Sequence, residues 1–279
     1  MKIWPVPFSN WPTGCLAVLK KWDRRYNGKR PEFGFQLKVT RSLMSGLMAI
    51  DRRRAHNDVW AVVPIKETAH AKQRLAGALS ARLRQELAAA MFEDVIRALA
   101  ETPGLAGIAV VTLDPTASGL ALGLGAEVWT EGARDGHTGA VMAAARRLAK
   151  NRSTMLTIPG DVPLVSPADI GGVLSAHLEE PAFTIVPAWD EQGSNTIMCS
   201  PADLVPLRFG PDSFFPHIEA ARRLGVNPTI VRNAALAIDI DEPADLARFM
   251  RIPSNTRAAA FLRRHRAEWD CDAVVIESQ

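Results

Sequence analysis

The residues best placed for chemistry sit near the middle of the chain. In Thr157-Ile158-Pro159-Gly160-Asp161-Val162-Pro163-Leu164 an apolar stretch delivers one carboxylate to a Gly/Pro turn, and Ser166-Pro167-Ala168-Asp169 then opens a helix. A carboxylate at the carboxyl end of a buried strand is placed to hold a metal over a ligand crevice. Further carboxylates come from Asp239-Ile240-Asp241-Glu242-Pro243. Residues i and i+2 of a strand share a face, so Asp239 and Asp241 can both point where Asp161 points. Asp241 or Glu242 also fits as the cap of a helix that Pro243 begins, and capping is the plainer reading of Asp241. Asp239 ends an apolar run and has no helix of its own to cap. Two carboxylates meeting from distant strands suit magnesium, which takes few protein oxygens and keeps waters and substrate phosphates.

Two more loops carry polar residues at strand ends. After a first strand, Pro64-Ile65-Lys66 is followed by Ala71-Lys72-Gln73-Arg74-Leu75. Lys66, Lys72 and Arg74 can grip a polyphosphate through charge-assisted hydrogen bonds, although cations at this spacing also suit a solvated loop. Asp190-Glu191-Gln192-Gly193-Ser194-Asn195-Thr196 precedes Arg208-Phe209-Gly210-Pro211-Asp212-Ser213-Phe214. Gly210 lets backbone approach a ligand closely, and Ser213 stands where helix N–H groups collect an anion; a plain N-cap explains Ser213 equally well.

The elements that must position these loops are legible from periodicity. Val59–Ile65 reads as a buried strand and Ser80–Glu101 as an amphipathic helix with Leu83, Leu87, Met91, Val95 and Leu99 on its apolar stripe. Strands are expected at Ile108–Thr112, Glu127–Thr130, Thr154–Ile158, Thr184–Pro187 and Thr196–Cys199, with helices at Pro115–Leu122, His137–Lys150 and Pro167–Glu179 between them. This alternation implies an α/β fold: a mainly parallel twisted sheet with helices on both faces. Ser213–Leu224 reads as a helix, Pro228–Val231 and Ala235–Ile240 as short strands, Pro243–Met250 as a closing helix and Thr256–Arg266 as a basic one. The expected division is a basic extension over 1–57, a catalytic domain over 58–250, and a C-terminal helix and tail over 251–279.

Composition narrows the class. Of 33 Lys/Arg and 30 Asp/Glu, residues 1–57 hold 12 and 3, so the body from residue 58 is mildly acidic. That arm lacks helix or strand period and reads as a poorly ordered extension rather than a nucleic-acid-binding arm. Its removal is expected to leave activity and thermal stability nearly unchanged, as paired turnover and unfolding measurements would test. No apolar run reaches membrane-span length, and prolines interrupt the start where a signal peptide needs a continuous apolar region, giving the expectation of a soluble, cytoplasmic protein. Three distant cysteines fit neither a disulfide framework nor a zinc site. The six histidines show no ligand spacing, Gly123-Leu124-Gly125 lacks the third glycine of a dinucleotide loop, and neither a nucleophile-elbow serine nor a P-loop is present. Metal-assisted phosphoryl or nucleotidyl transfer is left, chemistry that needs positioning and charge neutralisation more than a nucleophile.

From about Val59 to Met250 the chain resembles the phospholactate/phosphoenolpyruvate guanylyltransferases of deazaflavin coenzyme (F-420) biosynthesis. Five motifs in order carry the likeness: Pro64-Ile65-Lys66 with Lys72 and Arg74-Leu75; Gly160-Asp161-Val162-Pro163-Leu164; Gly193-Ser194-Asn195-Thr196; Phe209-Gly210-Pro211-Asp212-Ser213-Phe214; and Asp239-Ile240-Asp241-Glu242-Pro243-Ala244-Asp245-Leu246. The resemblance implies a nucleotide-diphospho-sugar transferase-like (GT-A-like) fold, with the Lys/Arg loop replacing the usual glycine-rich nucleotide loop. It implies GTP as donor, magnesium on Asp161 and Asp239, and a phosphorylated acid held by Thr196, Gly210 and Ser213. Lys66, Lys72 and Arg74 would neutralise departing pyrophosphate. A homodimer and hand-off of product to a downstream transferase belong to the same expectation. Departures are Gly160 and Val162 where the family commonly has Ala and Leu, Gly136-His137-Thr138-Gly139 where it often has Asn, and Glu242 where it usually has Thr. The rival readings are nucleotidyl transfer to a sugar phosphate or molybdopterin, and a non-catalytic nucleotide-binding module.

Overall fold

The computed structural model describes residues 58–67, 72–210 and 212–269. The expectations for residues 1–57, and those for Ala71, Pro211 and the tail from 270, lie outside the described residues.

The sheet grows outward from β1 (Val59–Pro64), whose parallel neighbours are β2 (Leu105–Val111) and β4 (Thr154–Thr157). β3 (Glu127–Trp129) pairs parallel with β2. On the other side β6 (Ser194–Ser200) runs antiparallel between β4 and β5 (Ala182–Pro187), and β7 (Thr229–Ile230) pairs parallel with β5. The order is β3-β2-β1-β4-β6-β5-β7, the mainly parallel sheet expected from the alternation. The chain winds outward from β1 through β2 and β3, then returns to β4 on the opposite side. Strand order therefore reverses between β1 and β4, and in open α/β sheets the ligand crevice forms outside the carboxyl ends at such a point.

Alternate residues of β1 serve opposite faces, as a period of two requires. Val59, Ala61 and Val63 meet α1 (Ala81–Ala100), α2 (Pro115–Gly123) and α4 (Pro167–Ala176) through Phe92, Val95, Ile96, Leu99, Ala117, Ala121, Ile170 and Val173. Val62 faces α3 (Gly136–Ala149) and α5 (Phe214–Arg223) through Val141, Ala144, Phe214 and Ile218. Helix starts follow local capping chemistry. Ser80 caps α1, Asp114 caps α2, and Ser166 forms a reciprocal capping box with Asp169 at α4.

A third apolar cluster joins Leu75, Leu83, Leu87 and Met91 to Ile240, to Leu246 and Phe249 of α7 (Pro243–Arg251), and to Ala258 and Leu262 of α8 (Arg257–Arg264). The helix set apart at residue 251 on sequence grounds thus shares a core with α1. Asp94 of α1 accepts the Arg257 and Ala258 N–H groups at 2.9 Å each, capping α8 from a distant helix.

Two expectations need correction. The strand expected at Ala235–Ile240 is instead a short helix, α6 (Ala234–Ala237), followed by extended chain. Asn233 drives this by accepting the Ala235 and Leu236 N–H groups at 2.9 and 3.0 Å, and an alanine-rich run offers little resistance to helix. The helix expected to reach Glu179 ends at Ala176. His177 turns to extended backbone, and its ring bridges the Thr184 and Ser200 hydroxyls of β5 and β6 at 2.8 Å each.

Candidate active site

Asp161 leaves the end of β4, where Gly160 lets the chain pass close to its neighbours. A Cβ on Gly160 would run into Cδ1 of Ile65 and lie 3.4 Å from the Phe92 ring. The distant carboxylate segment is joined here by backbone: Ile240 N–H donates to the Asp161 carbonyl at 3.1 Å. Ile240 itself is fully buried in the cluster with Leu75 and Leu83, which turns its neighbours Asp239 and Asp241 the other way. Residues 238–241 belong to no strand, and one inward apolar side chain and one backbone bond set where the two carboxylates stand.

Lys72 closes the arrangement. Its ammonium bonds Asp161 Oδ2 and Asp241 Oδ1 at 2.5 Å each, while its side chain is only 9% exposed. Burial alone would lower its pKa, but the two carboxylates outweigh that and hold it well above the usual lysine range. Lys72 has φ 52° and ψ 46°, a left-handed conformation uncommon for a residue with a Cβ, and so places its side chain ahead of the 3₁₀ turn Gln73–Gly77. Arg74 stands outside on the rim, paired with Glu242 at 3.1 Å. Both partners are exposed, so the pair contributes little to stability. Helix α7 is capped by Glu242 and Asp245, not Asp241, leaving the Asp241 side chain to the cleft.

These groups open into a cleft of about 450 Å³ at the carboxyl ends of β1 and β4, lined by Lys66, Lys72, Arg74, His137, Asp161 and Asp241 among others. Asp239 lies behind them, its Oδ1 accepting from Asn195 Nδ2 at 3.1 Å. Burial first, and then the negative charge of Asp161, push its pKa up to about 6. The folded state thus holds the Asp239 proton more tightly than an unfolded chain, where the ordinary value is 3.8. Stability from this group is fully present below pH 3.8 and is lost as pH rises through about 6. Asp239→Asn, which keeps an acceptor for Asn195, is accordingly expected to raise the ligand-free thermal midpoint at pH 7, with the gain vanishing by pH 4. Thermal unfolding of both proteins across that range checks it; a gap of equal size at both ends would show that Asp239 is not strained by its charge.

The third set of residues is not part of this cleft lining. Thr196 lies within β6, the antiparallel strand beside β4, and its Oγ1 is buried with no hydrogen-bond partner among the described residues. Ser213 is 4% exposed and makes no side-chain cap bond to α5. Its Oγ accepts Ser194 N–H at 3.1 Å and faces Ser194 Oγ at 3.3 Å. Gly210, exposed, has φ 151° and open space where a Cβ would be. The structure thus separates a cationic and acidic cleft from a hydroxyl-lined pair of segments, one in the inner strand β6 and one leading into α5.

A sequence-family profile described as Guanylyl transferase CofC like matches residues 59–273. The chain belongs to that family. Its curated relatives include a phosphoenolpyruvate guanylyltransferase of Roseiflexus castenholzii, 36% identical over 74% of this chain and 94% of that protein. Another is a 2-phospho-L-lactate guanylyltransferase of Methanothermobacter thermautotrophicus, 31% identical over 74% of this chain and 90% of that one. Among solved structures, a protein of Desulfovibrio desulfuricans G20 assigned to the nucleotide-diphospho-sugar transferases superposes with a TM-score of 0.61. At 20% identity, covering 75% of this chain and 96% of that one, it shares the fold.

Three residues of the site were not given their part by sequence reasoning. His137 shows no metal-ligand spacing in the sequence, yet it lines the cleft from the first turn of α3. Burial, helped by Lys66 and opposed by Asp161, pushes its pKa down to about 4, so it is neutral near pH 7. Its place in the loop after β3, where the resemblance already marks a departure, is the available signal. Asp241 fits a cap by its local sequence but bonds Lys72 instead, and Asn195, within one of the five motifs, donates to Asp239. Among the described residues no helix is long and apolar enough to cross a membrane.

Proposed function

We propose that this protein transfers a guanylyl group from GTP to a small phosphorylated carboxylic acid, releasing pyrophosphate, as a step in deazaflavin coenzyme assembly. Phosphoenolpyruvate, 2-phospho-L-lactate and 3-phosphoglycerate are the acids considered. Family membership supports the reaction class, and one observation carries the assignment of the site: Lys72 bridging Asp161 and Asp241 where the strand order reverses.

The fold's chemistry implies magnesium, and the residues present fit it. Asp161 Oδ1 is buried with no hydrogen-bond partner among the described residues, Asp239 is close enough to feel the Asp161 charge, and the donors are carboxylate oxygens. No cluster of three or more His, Cys, Asp or Glu suited to a metal occurs among the described residues, so Asp161 and Asp239 would hold an ion that relies on substrate phosphates for the rest of its shell. When bound, the ion supplies charge neutralisation at the triphosphate.

The chain's own groups do the remainder. Lys66, Lys72 and Arg74 bind the triphosphate and offset charge gathering on pyrophosphate. The acceptor phosphate, with a second pKa of roughly 6, is largely dianionic at neutral pH and attacks the α-phosphorus without a general base. The bond from that phosphorus to the β-bridging oxygen breaks, pyrophosphate leaves, and a guanosine diphosphodiester remains. No proton has to move in this step. Incubation with GTP, magnesium and each acid separately, followed by mass spectrometry, should reveal the diphosphodiester with at least one acid; pyrophosphate release with none would overturn the reading.

The hydroxyl-lined loops take the acceptor in this scheme. Ser213→Ala should weaken acceptor use by about 10–100-fold, the worth of one hydrogen bond to a charged group, and leave GTP affinity almost unchanged. Calorimetry with GTP alone and acceptor titration of turnover separate the two quantities. Equal weakening of GTP would show that these loops belong to the nucleotide.

A further inference from the structure

His217 is buried beneath the acceptor loops and none of the steps above uses it. Its Nε2 accepts Arg208 N–H at 2.9 Å, and its Nδ1 lies 3.0 Å from Ser194 Oγ. A backbone N–H can only donate, so Nε2 carries a lone pair, and the proton of the neutral ring is on Nδ1, donated to Ser194. Burial pushes the pKa of His217 down to about 4, in keeping with a neutral ring. Ser194 in turn fixes Ser213, whose oxygen receives Ser194 N–H at 3.1 Å. The Ser213 hydrogen is directed at Ser194 Oγ across 3.3 Å, a long distance for two hydroxyls, and that oxygen already receives the His217 proton. Rotation about one C–O bond frees this hydrogen for an incoming oxyanion while the oxygen stays anchored.

The same ring holds the second loop. Arg208 and Phe209 immediately precede Gly210, and their N–H groups are taken by His217 Nε2 at 2.9 Å and Thr138 Oγ1 at 3.0 Å. Phe209 lies edge-on to His217, with ring centroids 5.4 Å apart. His217 therefore touches both loops assigned to the acceptor and lines neither pocket wall of the nucleotide cleft.

We propose that His217 is a positioning residue for the acceptor phosphate: donation from Nδ1 to Ser194 presents the Ser213 hydroxyl, and acceptance of the Arg208 N–H by Nε2 steadies the backbone leading to Gly210. This rests on the reading of those loops as the acceptor site. His217→Phe keeps an aromatic ring at this position but removes both hydrogen bonds. It should raise the KM for the acceptor acid by about tenfold or more, with the Kd for GTP within about twofold of wild type. In a Ser213→Ala background the same change should cost less than it does in wild type, because the hydroxyl it positions is gone and only the Arg208 bond remains to be lost. Long-range ¹H–¹⁵N spectra of histidine-labelled wild-type protein should show His217 protonated on Nδ1 alone.

The outcomes separate cleanly. Protonation on Nε2, additive effects of the two substitutions, or equal losses of GTP and acceptor affinity would each overturn the role of His217. The spectrum needs no variant, so a His217→Phe protein that fails to fold leaves the test intact. If Ser213→Ala raises the acceptor KM and His217→Phe does not, this inference alone fails; if wild type uses no phosphorylated acid, the functional reading fails first.

Discussion

Asp161→Asn is expected to lower pyrophosphate release at saturating substrates by roughly 10²–10³-fold while leaving the protein folded. The substitution preserves side-chain size but removes the charge that the cleft is organised around. In the structure that charge faces Lys72 through Oδ2 and presents Oδ1, buried and without a partner among the described residues. An amide in this place would also put one donor against the Lys72 ammonium or leave it unpaired, a cost of about 1–3 kcal/mol for a buried group. Some loss of thermal stability is therefore expected, but not unfolding, since the Ile240 to Asp161 link is made by backbone and survives the change. Turnover measured over a wide magnesium range beside an unfolding curve tests both halves. Wild-type-like turnover at ordinary magnesium would remove Asp161 from the centre of the mechanism.

Lys72→Ala should produce effects of opposite sign in two assays. With the ammonium gone, Asp161 and Asp241 lose a counter-charge shared between them at 2.5 Å. Breaking a buried pair typically costs about 3–5 kcal/mol, and with the Asp241 side chain 47% exposed the expected loss falls to about 1–2 kcal/mol. GTP affinity should fall roughly 10–100-fold, because a charged donor to the triphosphate is lost. Yet the same deletion removes a cation competing for Asp161 Oδ2, so the ligand-free variant should bind Mn²⁺ more tightly than wild type. Electron paramagnetic resonance titration of Mn²⁺ without nucleotide reads this directly. Weaker Mn²⁺ binding by the variant would mean that Lys72 supports the cation site rather than occupying its carboxylates.

Much of this protein was determined by local sequence. Strands at Val59, Thr154 and Thr184, the long helix after Ser80 and the capping box at Ser166 follow from period, propensity and side chains bonding the backbone three residues away. The placing of Asp161 past a buried strand and of Lys66 past the first one follows as well, since α/β topology puts both at the same sheet edge. What the tertiary structure alone decided are the partnerships across large separations. Lys72 meets Asp161 and Asp241 from 89 and 169 residues away, and Asp94 caps a helix 163 residues on. Asp241 reads locally as a cap, but Asp245 supplies that function and frees it. Helix α4 stops where His177 finds hydroxyls on two strands, and Asn233 folds a strand-like run into helix α6. His137 and His217 became informative only when burial removed their water and fixed their neighbours. In each case the local options differ by about 1 kcal/mol or less, whereas burial and a long-range hydrogen bond or ion pair are worth more, so the choice waits until the sheet has brought the distant groups together.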